Sequence, residues 1–277
     1  MKPTRSYQSF PLKTFAASLF VTIGVAATVA PSFADAPSGG ATVHDAQNPV
    51  ANIIALPIQN NTYFDSGPYK RTANTLLLQP VYPFKLSEDW NLITRTIIPV
   101  ISQPRLSPQT AGKSGLGDIQ SQLFLSPAHP GEIIWGIGPQ LLLPTATDKR
   151  LGANRLGGGI SAVALTIQNP WLFGALVNNL WAGSGQRRVN ELTINPFAFY
   201  NFPNGWYLFS SPVITANWAD AVQNKRWTVP IGGGLGHLFK IANQAINARF
   251  QFFDNVERPT YAPHYQMQLQ IQFLFPK

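Results

Sequence analysis

The sequence predicts an all-β protein: a transmembrane, antiparallel, up-and-down β-barrel of about 12 strands with a short N-terminal helix. Three observations predict it, namely alternation of apolar and polar residues, uneven loop lengths and tryptophans at strand ends. Alternation is clearest in YQMQLQIQFLF at 265–275, where every second residue is apolar and the residues between are glutamine up to Gln272. Since successive strand residues face opposite sides, one face meets an oily medium and the other a polar one. Alternation alone also fits the edge of a soluble sandwich.

The same alternation recurs upstream and defines the other strands. Each is close to the roughly 9–11 residues that cross a bilayer on a tilt. The predicted strands are 57–65, 73–84, 90–101, 118–125, 133–144, 161–168, 171–182, 191–201, 206–218, 227–239, 248–253 and 264–277. At 161–168 we assign the apolar side, which carries Val163 and Leu165, to lipid, and Gln168 to the lumen.

Loop lengths and tryptophans agree with a barrel. Connections after even-numbered strands are mostly short, such as NP and FPNG, whereas those after odd-numbered strands are longer and more polar, such as TATDKRLGAN. This asymmetry is typical of outer-membrane barrels with both termini in the periplasm. Tryptophans favour the two membrane interfaces, and none falls in the middle of a predicted strand. They are Trp90, Trp135, Trp171, Trp206 and Trp227 at strand starts, with Trp181 and Trp218 at strand ends.

Composition and the N-terminus indicate export. Only 12% of the 277 residues are charged, about half of the ~25% usual in soluble domains, and there is no cysteine. The apolar run TFAASLFVTIGVAATVA followed by PSFA predicts a signal peptide at 1–34, cleaved after Ala34, with Ala36 as the second candidate cleavage site. A single membrane anchor is the alternative. We therefore expect a periplasmic or lumenal segment at 35–56 and an outer-membrane barrel at 57–277.

The stretch NPVANIIALPIQNN predicts the short helix, over 48–57. Asn48 is a suitable cap and Pro49 suits the first turn. The helix is too short to span a membrane, so it is expected to plug the lumen, to lie on the periplasmic rim, or simply to lead into the first strand. The predicted plug residues are Val50, Ile53 and Ile54.

No motif indicates catalysis, a cofactor or a metal. GKS at 112–114 lacks the upstream glycine of a phosphate-binding loop, and GGGLG at 232–236 lacks a strand–turn–helix context. The four histidines are dispersed without metal-ligand spacing. Most lysines and arginines of the mature chain fall in or beside the longer loops. We therefore expect anionic outer-membrane lipids and lipopolysaccharide as partners, and no nucleic acid.

Several stretches resemble a known family. NPVANIIALPIQNN, LLLQPVYPF and DWNLITRTIIPVISQP resemble the outer-membrane proteins of the meta-pathway phenol-degradation family, some of which are described as transporters. The resemblance implies a barrel that passes aromatic or other hydrophobic compounds. The barrel assembly machinery is an expected partner, and the C-terminus departs from the pattern of many barrels that depend on it. Many bacterial barrels end in an aromatic residue, whereas Phe275 is followed here by Pro276 and Lys277.

These observations predict a passive outer-membrane channel for small solutes. A structural or adhesive closed barrel and a lipid-modifying enzyme are the alternatives. Amides donate and accept hydrogen bonds without net charge, so a glutamine-rich lumen favours neutral or weakly polar solutes. The predicted lumen-lining residues are Gln79, Arg95, Asp118, Gln120, Gln122, Gln140, Gln168, Arg249, Gln251, Gln266, Gln268, Gln270 and Gln272.

Overall fold

A computed structural model describes residues 41–106, 111–183, 188–219 and 226–276, in which a short helix precedes a series of strands. The predicted signal peptide at 1–34 lies outside the described residues. The elements are α1 (Val43–Gln47), β1 (Ile54–Ser66), β2 (Arg71–Leu78), β3 (Val81–Lys85), β4 (Trp90–Gln103), β5 (Lys113–Leu116), β6 (Ile119–Pro127), β7 (Ile133–Leu143), β8 (Gly157–Gln168), β9 (Trp171–Ala182), β10 (Val189–Asn201), β11 (Trp206–Ser210), β12 (Ile214–Asn217), β13 (Trp227–Ile241), β14 (Gln244–Glu257) and β15 (Tyr265–Phe275). Among these residues, no helix is long and apolar enough to cross a membrane.

The strands form one closed antiparallel barrel of 12 strands, as predicted. β15 pairs with β1 from Ile54 opposite Phe275 to Phe64 opposite Tyr265, which joins the last strand to the first. Three barrel strands are interrupted, because β2 with β3, β5 with β6, and β11 with β12 each occupy one place in the sheet. Pro80 and Pro212 lie in two of these interruptions, where a residue without an N–H cannot donate to the ladder.

The two ends of the barrel differ. Ile54 and Phe275 define what we call the terminal end, where the connections are short: Asn169–Pro170 joins β8 to β9 and residues 242–243 join β13 to β14. At the opposite, loop end the connections are longer, for example 144–156 between β7 and β8. The predicted asymmetry of loop lengths is confirmed.

The outer surface carries an apolar belt bounded by aromatic residues. Leu235, Phe250, Leu269 and Ile271 are exposed midway along their strands. Trp90 and Trp135 meet edge to face at the terminal end, with ring centroids 6.0 Å apart, and Trp218 and Trp227 do so at the loop end, 5.7 Å apart. Such a continuous exposed apolar surface requires a lipid medium, with the aromatic rings at its two boundaries.

The predicted faces of the strand at 161–168 are wrong. Val163 and Leu165 are buried on the inner face of β8, whereas Ala164 and the terminal Gln168 are on the outer side. The physical reason is that this part of the barrel interior is itself apolar. Oily residues there pack against one another rather than against lipid.

The predicted helix at 48–57 is also wrong in position. The helix spans Val43–Gln47 and begins at Thr42, whose hydroxyl accepts from the Asp45 N–H at 3.1 Å while the Asp45 carboxylate accepts from the Thr42 N–H at 2.8 Å. This capping box fixes the helix upstream of the expected site. Asn48 ends the helix, and Ile54 enters β1 because it pairs with Phe275 to close the barrel.

The two faces of β15 yield a stability prediction. Leu269 faces lipid near mid-strand, so Leu269→Arg should lower the free energy of unfolding by about 2 to 4 kcal/mol. Gln268→Arg places the same charge in the lumen, where loss of the hydrogen bonds with Gln251 and Asn61 should cost about 1 kcal/mol. Urea unfolding in lipid vesicles, followed by tryptophan fluorescence, measures both. Equal losses would contradict the assignment of faces.

Candidate functional site

A cavity of about 600 Å³ occupies the barrel interior. Most of the predicted lumen residues line it, because their positions on neighbouring strands share the inward parity. The predicted residues that line it are Gln79, Arg95, Gln120, Gln122, Arg249, Gln251, Gln266, Gln268, Gln270 and Gln272. The alternation of the strands was sufficient to find them.

The other three predicted lumen residues lie elsewhere. Asp118 is buried between β5 and β6 and accepts from the N–H groups of Ala146 at 3.0 Å and Asn154 at 2.9 Å, which holds the loop 144–156 at the loop end. Gln140 is buried behind the cavity surface and accepts from the Ser161 hydroxyl at 2.8 Å. Gln168 ends β8 at the terminal end, away from the cavity.

Side-chain amides form a continuous hydrogen-bonded chain along one wall of the cavity. Gln79 accepts from Arg95 and donates to Gln59 at 3.3 Å, and Gln59 donates to Asn61 at 3.0 Å. From the other side, Gln268 also donates to Asn61 at 3.0 Å. Gln59 and Asn61 were missed in the sequence because the alternation of β1 is weak around them. Each amide fixes the orientation of the next, so this wall is rigid.

Two arginines stand in the cavity wall without a carboxylate partner among the described residues. Arg249 donates through Nη2 to Gln270 at 2.6 Å and lies over the Phe209 ring, with its Cζ 5.6 Å from the ring centroid. The Nε of Arg249 and the Nε2 of Gln270 are buried with no acceptor in the described structure. Arg95 donates to Gln79, and the ion pairs found in the described part of the chain involve neither arginine.

The N-terminal segment 41–53 lies inside the barrel at the terminal end. Val50 packs in an apolar cluster with Ile93 and Phe124 of the inner wall, and Ile53 packs in a second cluster with Leu274. Two amide hydrogen bonds, of 2.7 and 3.3 Å, join Gln47 to Asn201 of β10.

The same segment forms part of the cavity lining at the terminal end, through Gln47 and its neighbours, and we call it the floor of the cavity. Of the predicted plug residues, Val50 and Ile53 are therefore inside the barrel. Ile54 is in β1 on the lipid-facing side.

Burial lowers the pKa of His44 in α1 below its ordinary value, and Asp45 opposes that effect.

An aromatic core lies in the terminal half of the barrel beside this segment. Phe199 and Phe209 stack with ring centroids 5.2 Å apart, and Tyr207 donates from its hydroxyl to Asn247 Oδ1 at 2.6 Å. Tyr207 lies against Gly236, where an added Cβ would be 2.3 Å from the ring. One glycine of the GGGLG stretch is therefore required by close packing against a buried ring.

Comparison with known proteins supports the fold. No family model matches the sequence, and neither does any curated protein sequence. The chain is similar to a solved structure, the COG4313 outer membrane channel from Pseudomonas putida F1, with a TM-score of 0.60 and 17% identity over 80% of this chain and 94% of that chain. The NanC porin also aligns, with a TM-score of 0.48 and 10% identity over 79% of this chain and 98% of that chain. At these identities the similarity to the first structure establishes the barrel fold alone.

Packing of Tyr207 on Gly236 yields a second stability prediction. Gly236→Ala forces the buried ring to move and should lower the free energy of unfolding by about 1 to 3 kcal/mol. Gly158→Ala is the matched control, because its Cβ would meet only the Gln140 carbonyl oxygen, at 3.8 Å. Urea unfolding of both variants in the same vesicles measures the difference. A larger loss for Gly158→Ala would contradict the proposed packing.

Proposed function

We propose that the protein is an outer-membrane channel through which small solutes diffuse passively. The observation that carries the proposal is a polar-walled cavity inside a closed barrel, floored by the chain's own N-terminal segment. Such an interior suits water and small solutes, and the inserted segment narrows the path through the barrel. The similar structure from Pseudomonas putida F1 is described as an outer membrane channel, which supports the same role here.

The solute class that the cavity favours is small and partly apolar. Amides form one wall, while Leu176, Phe197 and Phe199 contribute apolar surface to the same cavity. This combination suits aromatic or other hydrophobic compounds, the class implied by the resemblance to the meta-pathway phenol-degradation family. Apolar surface with a few polar groups is the usual lining of small-molecule sites.

The proposed placement has the terminal end at the periplasm and the longer loops outside the cell. An export signal at 1–34, cleaved after Ala34, would deliver the chain to the barrel assembly machinery. Exposed basic residues of the loops, such as Arg155, would face lipopolysaccharide and other anionic lipids. Short turns at the periplasmic end are the usual arrangement in such barrels.

A closed structural barrel is the main competing function. The inner aromatic core and the inserted segment favour it, because both occupy space inside the terminal half of the barrel. Conductance across a planar bilayer separates the two functions. A lipid-modifying enzyme is the third candidate, and phospholipid hydrolysis by the purified protein tests it; we propose that none occurs.

Removal of the inserted segment is the direct test of the channel. Deletion of residues 43–52 leaves β1 intact and removes the cavity floor, so single-channel conductance should rise at least about twofold, since conductance follows the cross-section of the narrowest part. Liposome swelling with small neutral solutes should accelerate in parallel. Heat-modifiable mobility on a gel would show that the barrel still folds in the variant that lacks residues 43–52.

Point variants supply the controls for this deletion. Val50→Asp places a charge against Ile93 and Phe124, so it should loosen the segment and raise conductance. Asn52→Ala changes an exposed residue of the same segment and should leave conductance unchanged. A folded deletion variant that conducts no better than the intact chain would refute the role of the segment as a floor. No conductance from either would refute the channel.

A further inference from the structure

Within the part of the chain that the structure describes, no carboxylate forms an ion pair with the two arginines of the cavity, Arg95 and Arg249. Two carboxylates also line the cavity, but neither forms an ion pair with Arg95 or Arg249 in the described structure. Asp45 accepts from the backbone N–H and the hydroxyl of Thr42, at 2.8 and 2.7 Å. Glu191 lies near the start of β10, at the loop end. Two like charges within a membrane span repel each other and are costly to bury, so a bound anion between them would be stabilised.

The side chains of Arg249 and Gln270 carry more hydrogen-bond donors than the acceptors around them satisfy. Arg249 and Gln270 face each other across the β14–β15 ladder, and the Gln270 Oε1 already accepts from Arg249 Nη2. The Arg249 Nε and the Gln270 Nε2 remain without acceptors in the described part of the chain. A guanidinium presents five N–H donors in a planar fork that matches the two oxygens of a carboxylate. These two unsatisfied donors are the groups that a bound carboxylate would engage.

The rest of the cavity favours an anion with an apolar body. Ile97, Leu176, Phe197 and Phe199 line the same space as the arginines. An inorganic ion would leave this apolar surface in contact with water, whereas an aromatic ring would cover it. The volume of about 600 Å³ lies within the roughly 300–1,000 Å³ of small-molecule sites.

We propose that the cavity is a binding site for small carboxylates that carry an aromatic or similar apolar group, with Arg95 and Arg249 as the anion-binding residues. The inference rests on the proposed channel function and specifies its solute. The carboxylate would bind at the guanidinium groups, and the apolar body would lie toward Phe197 and Phe199. The glutamine lining alone favours neutral or weakly polar solutes, and the two arginines would add a preference for organic anions.

The test uses the full mature protein in detergent and three probes, sodium benzoate, benzamide and sodium acetate. Saturation-transfer NMR measures the dissociation constant of each. Benzamide has the shape of benzoate without its charge, and acetate has the charge without the ring. Benzoate should bind at least about tenfold more tightly than either, since a charge-assisted hydrogen bond or a buried ring each contributes about that factor.

Arginine variants locate the site. Arg249→Gln and Arg95→Gln should each weaken benzoate binding about tenfold and leave benzamide binding unchanged, since they remove the charge while keeping a polar donor. Arg249→Lys should recover part of the benzoate affinity. Arg155→Gln, at an exposed loop residue, is the control and should change neither affinity. The comparison of three probes on the unaltered protein tests the proposal even if an arginine variant fails to fold.

The outcomes separate this inference from the channel function. Equal affinities for benzoate and benzamide, or equal affinities for benzoate and acetate, would overturn the inference. Loss of benzoate binding in Arg155→Gln but not in Arg249→Gln would overturn it too. If the protein conducts ions in planar bilayers while benzoate fails to bind, the proposed binding site is refuted and the proposed channel function is retained. If benzoate binds as expected but no conductance is measured, the channel function is refuted and the binding site is retained.

Discussion

Pairing of the first strand with the last is the constraint on which the rest of the structure depends. In hydrocarbon an unpaired strand edge has no hydrogen-bond partner, so a spanning sheet must close completely. The ladder from Ile54–Phe275 to Phe64–Tyr265 satisfies this requirement. It also explains why β1 begins earlier than predicted: the backbone of residues 54–56 is needed to match the end of β15, whatever local helix preference those residues have.

Closure divides the molecule into an outer surface that must be apolar and an interior that is free to vary. The interior here uses that freedom in two ways. At the terminal end it is an aromatic core in which Phe199, Tyr207 and Phe209 pack as in a soluble protein. Beside this core it is a cavity with a chain of amides along one wall. The inserted segment 41–53 joins them, since Val50 packs in the core and Gln47 lines the cavity.

The chain of amides holds the two arginines of the cavity wall in place but does not neutralise their charge. Gln79 and Gln270 use their carbonyl oxygens to hold Arg95 and Arg249 in place, but an amide neutralises no charge. The groups that position the two arginines are therefore not the groups that would neutralise their charge. The wall holds two cations in defined positions, and the counter-charge is left to come from the solute. A rigid wall that carries positive charge without a paired carboxylate would allow a passive diffusion path to discriminate among solutes by their charge.

The sequence by itself determined the barrel class and ten lining residues, because strand alternation and loop lengths are local properties that chain order reveals. The two-residue alternation alone placed Gln266, Gln268, Gln270 and Gln272 in the lumen. Alternation separates two faces but does not name the medium of each, and so Val163 and Leu165 were assigned to lipid while the structure buries them inside. Only the tertiary structure decided that face, the position of the inserted segment and the fact that no carboxylate of the described residues pairs with Arg249. Each of these depends on residues distant in the chain meeting across the barrel.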